Sequence, residues 1–170
     1  MTSSFLRNRF ACIALAASLG ATLLAPALAH AASATQPGEL PDAAAAAAID
    51  SAEKTALSLN AHVCIAVVDS AGTLKAFKRM EGAAPGCVDS AINKARAAAV
   101  YRTPTLSFME RVNHGEPALT TLPGMVPLGG GVPAKAGANW LGAVGAAGTL
   151  NPNEVKIATA GADTLSQSGQ

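Results

Sequence analysis

Leu40, Ala44, Ala48, Ala52, Ala56 and Leu59 fall on one stripe at helical spacing, with Asp50, Glu53 and Lys54 off it. The pattern predicts a helix from Pro41-Asp42 to about Leu59, a proline and an acid standing where a first turn favours them. Small side chains on that stripe imply close approach to whatever lies beneath. The period then falls to two. Residues 63–69 are apolar on both faces, which suits a central strand covered on both sides. Ser70-Ala71-Gly72 turns the chain into residues 73–79, a less buried strand that sets Leu74, Ala76 and Phe77 against Lys75 and Lys78. Helical spacing returns from Val88 to about Tyr101 through Ile92, Ala95, Ala99 and Val100, and Pro104 stops it. Residues 105–112 predict a short helix capped by Thr105 and ended by Asn113-His114-Gly115. Strands are expected at 125–128, 132–135 and 140–146, with Gly137-Ala138-Asn139 turning the last two into a hairpin. Asn151 then caps a final helix, opened by Pro152, that runs to about Leu165. This order predicts an α+β fold: a mainly antiparallel sheet of about five strands flanked by helices.

The first thirty residues read differently. Arg7 and Arg9 precede an apolar run, residues 10–24, that is broken by Ser18, Gly20 and Thr22 and is shorter than the roughly 20 residues a spanning helix needs. It ends in Ala27-Leu28-Ala29-His30-Ala31, which offers two A-x-A cleavage sites. We therefore expect a signal peptide at 1–31, a small-residue linker at 32–40 and one domain at 41–170. The product is expected in the periplasm or outside the cell, with no membrane span after cleavage. Loss of Arg7 and Arg9 from the twelve basic residues leaves ten against eleven acidic ones, a balance that steers toward neither nucleic acid nor anionic lipid. Cys12 leaves with the signal, so only Cys64 and Cys87 remain. They can pair in an oxidising compartment, but spacing alone does not bring their Cα atoms within reach.

Several chemistries have no motif here. The sequence lacks HExxH, G-x-S-x-G, C-x-x-C and C-x-x-C-H, which leaves zinc proteolysis, α/β-hydrolase chemistry, dithiol exchange and covalent haem attachment without support. Gly129-Gly130-Gly131 is followed by Val132-Pro133 and a strand rather than a helix, so it reads as a tight connection and not a phosphate loop. Bare backbone at Gly130 and Gly131 would still let a flat ligand approach. His114, on a loop beside Gly115, is the leading candidate for a metal or axial ligand, with His62 at the mouth of the first strand as competitor. Met80, Met109 and Met125 are ordinary core residues in most proteins, yet each offers a thioether, Met80 from the loop after the second strand. Lys94 and Arg102 lie eight apart near one helix face, where they could grip carboxylates.

Four segments taken together are more specific. Residues 63–69 with Gly72 and Leu74, then Arg79-Met80-Glu81-Gly82-Ala83, then Asn93-Lys94-Ala95, then Gly129-Gly130-Gly131-Val132-Pro133 leading to Leu141-Gly142-Ala143-Val144-Gly145, resemble in order and spacing the GlcG/HbpS family. That family includes the C-terminal domain of PduO-type cobalamin adenosyltransferases. The resemblance covers Pro41 to about Leu165 and implies a profilin-like fold, assembly into homo-oligomers, and binding of haem or a related tetrapyrrole in some members. It would make the cofactor haem b, held non-covalently, and the partner a small flat ligand. Two departures stand out: the family's usual G-V-S-G-G is here Gly145-Ala146-Ala147-Gly148-Thr149, and its usual Q-D-E is Asn151-Pro152-Asn153-Glu154. Three functions stay open: an exported haem-binding protein for storage, scavenging or sensing; an enzyme or accessory acting on a small organic acid; and a structural oligomer that binds a protein partner. An aromatic content of 4 % argues against the last, because interaction hot spots favour Trp and Tyr.

Overall fold

The computed structural model describes residues 40–169. The expected signal peptide and nearly all of the linker lie outside the described residues. Four helices and four strands follow in the order α1 (Asp42–Ser58), β1 (Cys64–Asp69), β2 (Leu74–Arg79), α2 (Cys87–Tyr101), α3 (Thr105–Asn113), β3 (Gly131–Ala136), β4 (Asn139–Ala147) and α4 (Asn151–Ser168). A 3₁₀ turn at Pro117–Thr121 follows α3. The sheet is antiparallel throughout, in the order β2-β1-β4-β3. β1 is central, as its two apolar faces require: residues 63 to 68 are all fully buried.

The two faces are covered differently. Val63, Ile65, Val67, Val144 and Ala146 meet α1 and α4 through Ala48, Ala52, Ile157 and Leu165. Burying each large member of that set contributes about 1.5–3 kcal/mol. Cys64, Ala66, Val68, Ala143 and Ala147 meet α2 through Ala91, Ala95 and Ala98. This second layer is thin because its side chains are small. A side-chain carbon on Gly145 would collide with the Ala91 carbonyl oxygen, so α2 lies almost directly on the backbone of β4. Cys64 and Cys87 form a disulfide from the middle of this layer to the start of α2, with Cα atoms 5.4 Å apart.

The sheet has four strands where about five were expected, because residues 125–128 form none. Pro127 withholds a donor from that stretch, and Gly124, at φ 68°, bends the chain before it. The edge beside β3 is also taken. The Gly131 N–H donates to the Thr105 hydroxyl at 2.9 Å, the Lys135 N–H donates to the Ser166 hydroxyl at 3.2 Å, and Pro133 between them has no N–H. A further strand would find no free donor there. Thr105, expected as a cap, is thus inside α3 and fully buried as an edge cover, with Pro104 in the cap position.

Candidate functional site

Lys94 does grip a carboxylate, and the carboxylate is the protein's own. Its Nζ lies 2.7 Å from Glu154 Oε2, with only 3 % and 8 % of the two side chains exposed, and it also donates to the Ala146 carbonyl at 3.4 Å. The other Glu154 oxygen accepts the N–H groups of Gly148, at 2.8 Å, and Thr149, at 3.2 Å. Asn151, expected as a cap, is instead the first residue of α4, and its amide donates to the Gly129 carbonyl at 2.9 Å and to Glu154 at 3.4 Å. The glycine triplet threads between these groups. Gly130 has φ 110°, and a side-chain carbon there would sit 2.7 Å from the Ala146 carbonyl oxygen; one on Gly131 would collide with the Lys94 carbonyl oxygen. Lys94, Gly130 and Gly131 are therefore brought together, but in a buried and fully paired junction of α2, β4 and α4. Bare backbone at the triplet is occupied by the protein itself. Glu154 is the residue the sequence reading did not single out as a partner; its one signal was its place three residues into a helix, where a glutamate reaches back to preceding N–H groups.

His62 and Met80 stand elsewhere, and together. They share a cleft of about 470 Å³ with Glu53, Leu57, Lys78, Arg79 and Glu81. The His62 Nδ1 lies 2.8 Å from the Glu81 carbonyl oxygen. A carbonyl can only accept, so Nδ1 donates, and in the neutral ring Nε2 keeps its lone pair. Met80 is 94 % buried at the end of β2, where its N–H bonds the Val63 carbonyl. Lys78 pairs with Glu53 at 2.6 Å, and Arg79 donates to the Ala83 carbonyl at 2.8 and 3.2 Å. Leu57 is 62 % exposed, an apolar wall open to solvent. The cleft falls within the roughly 300–1,000 Å³ typical of small-molecule sites.

His114 sits apart, exposed at the end of α3. Its Nδ1 donates to the Glu110 carbonyl at 2.6 Å, which makes it a helix cap. Arg111 and Glu116 form an exposed ion pair on either side of it in sequence, and that pair raises the arginine and holds the Glu116 carboxyl below the usual glutamate range through a direct hydrogen bond. Arg102 lies just past α2 in the left-handed conformation and faces Trp140, not Lys94. Among the described residues no three His, Cys, Asp or Glu side chains gather to hold a bare metal ion. A haem iron needs only one protein ligand, which a lone imidazole supplies.

A family model described as haem degrading protein HbpS-like matches residues 40–163. The chain is 40 % identical over 101 residues to the protein GlcG of Escherichia coli strain K12, covering 59 % of this chain and 75 % of GlcG. A solved double mutant of Streptomyces reticuli HbpS superposes with a TM-score of 0.70 at 34 % identity, over 83 % of this chain and 97 % of that one. A PduOC complex with haem shares the fold, at a TM-score of 0.68 and 24 % identity, over 74 % of this chain and 94 % of that one.

Proposed function

This chain belongs to the HbpS-like family, and from that premise we propose that it binds haem, or a related flat tetrapyrrole, without a covalent link. The observation that carries the reading is the cleft in which His62 presents Nε2 beside Met80, Lys78 and Arg79. Bound there, haem would supply the iron chemistry, and the protein's own groups would do the holding. The Glu81 carbonyl fixes the His62 ring in orientation and tautomer, as the partners of metal-bound histidines do. Leu57 offers apolar surface to the macrocycle, Met80 belongs to the core at the wall of the cleft, and Lys78 and Arg79, held by Glu53 and the Ala83 carbonyl, bring positive charge toward carboxylate edges. His114 has the same tautomer but is not among the residues that line this cleft. The axial ligand in this proposal is therefore His62. Titration of the purified protein with haemin, followed by absorption, tests it: a saturable Soret shift supports binding, and a spectrum that stays that of free haemin contradicts it.

The same proposal puts the protein outside the cytoplasm, from Arg7, Arg9 and the A-x-A sites, and makes it a homo-oligomer, from the family resemblance and the many small side chains that permit close packing of neighbouring surfaces. Storage, scavenging or sensing of haem are the roles that suit such a location. Protein recovered from the periplasm should begin at His30 or Ala32 by mass spectrometry and exceed the monomer mass by light scattering. An intact Met1 would overturn the first statement, and a clean monomer the second.

A further inference from the structure

At the other end of β1 from His62, the turn into β2 rests on the second half of α2. Asn93, Arg96, Ala97, Val100 and Tyr101 recur at helical spacing along one side of α2, while Ala91, Ala95 and Ala98 take the side that meets the sheet. The turn pins Arg96, whose Nε donates to the Gly72 carbonyl at 3.1 Å. Gly72 has φ 83°, and a side-chain carbon there would sit 3.2 Å from Arg96 Cγ and 3.3 Å from Val100 Cγ2, so the arginine stem is packed against bare backbone. The turn's own acid, Asp69, is occupied with the N–H groups of Ala71 and Thr73, each at 2.9 Å. Among the described residues the two terminal nitrogens of Arg96 have no hydrogen-bond partner and no carboxylate within ion-pair distance, whereas Lys78, Lys94 and Arg111 each pair with a glutamate. The chain returns over this side of α2 at Pro123-Gly124, where the Tyr101 hydroxyl donates to the Pro123 carbonyl at 2.7 Å and Gly124 turns at φ 68°. The helix residues from Asn93 to Tyr101 on that side and these two line one cleft of about 330 Å³, at the small end of the range for ligand sites.

We propose that this cleft binds a small organic monoanion, its carboxylate on the two terminal nitrogens of Arg96 and its short carbon chain against Ala97, Val100 and Pro123. An arginine whose Nε is already engaged keeps the planar edge formed by its terminal nitrogens, and that edge matches the two oxygens of a carboxylate. A single cation balances a single charge, which favours a carboxylate over a phosphate dianion. Asn93 lines the same cleft and adds an amide donor. The lining is mixed, so the ligand that satisfies it is neither wholly apolar nor a bare inorganic anion. The cleft shares no residue with the one at His62 and does not depend on haem.

Nuclear magnetic resonance reads the site directly. Purified protein labelled with nitrogen-15 is titrated with butyrate, 1-butanol and inorganic phosphate at ionic strength held constant with sodium chloride, and the Arg96 Nε–H and backbone amide signals are followed. Butyrate should move the signals of Arg96, Ala97, Tyr101 and Gly124 along saturable curves, at a concentration at least about tenfold below that of the other two probes. Arg96→Lys keeps the charge without the planar edge and should weaken butyrate about tenfold with circular dichroism unchanged. Should Arg96→Lys release the turn between β1 and β2, Asn93→Asp decides alone: from an exposed position it sets a like charge in the cleft, and it must weaken butyrate at least about threefold while leaving 1-butanol as it was. Equal response to all three probes, signals that move away from this cleft instead of in it, or butyrate binding unaltered in either variant overturns the proposal. The haemin spectrum should be the same in every variant, so failure here leaves the His62 reading standing.

Discussion

Replacing Lys94 by methionine removes the cation from the buried junction of α2, β4 and α4 and keeps most of its volume. Glu154 is then left with a carboxylate in a place where 8 % of its side chain is exposed, its Oε2 retaining only the long Asn151 contact. Breaking a buried pair by deleting one partner costs roughly 3–5 kcal/mol, because the remaining charge stays desolvated. Against a total stability of about 5–15 kcal/mol, that is a large share. Glu154→Gln strands Lys94 in the same way, though its amide oxygen can still accept from Gly148 and Thr149. The double variant has no buried charge left, so it should lie closer to the parent than the sum of the two single losses, by about 2 kcal/mol or more. Urea unfolding followed by far-ultraviolet circular dichroism measures all four corners of the cycle, and the single variants should also melt roughly 10–20 °C lower. Single losses below about 1 kcal/mol, or strict additivity, would show that the pair is not the staple described here.

Two further outcomes follow from the disulfide and from the ion pair at the end of α3. Removing the disulfide with Cys64→Ala and Cys87→Ala, which are 23 residues apart, should cost about 3 kcal/mol by the loop-entropy estimate; an unchanged urea midpoint would mean the bridge does not form in the folded protein. The Glu116 carboxyl is depressed by its hydrogen bond to Arg111, so the stabilisation it gives is present above the unfolded glutamate value and disappears as pH falls through the folded one. Carbon NMR should find its midpoint below the usual range and Arg111→Ala should return it there, while a midpoint indifferent to that substitution would refute the pairing.

Most of the fold was legible because it rests on local periodicity. The apolar run before Asp69 could only be a central strand, and the alanine stripe of α1 could only face something close; both hold. The error at residues 125–128 came from reading apolar character as pairing, when pairing needs a partner edge with free donors. Thr105 and Ser166 close that edge from 26 and 31 residues away, a long-range fact that no window of sequence displays. The same limit governs the site residues. Lys94 and Glu154 are 60 residues apart, so the cation looked free on its helix until α4 was laid beside it. The sequence favoured His114 over His62 for its loop position, and in the fold each donates Nδ1 to a carbonyl. Both are exposed, and what separates them is that His62 lines a cleft with Leu57, Lys78 and Met80 while His114 ends α3.

The central claim is that His62, in its cleft, is the group that holds haem iron. The direct measurement is a haemin titration of the parent protein beside His62→Ala and His114→Ala, with Soret position and affinity read together and circular dichroism confirming the fold of each. The account predicts that His62→Ala shifts the Soret band and weakens binding by at least about tenfold, while His114→Ala leaves both as they were. Loss of the spectrum on His114→Ala with His62→Ala unaffected, or no change in either, would contradict it.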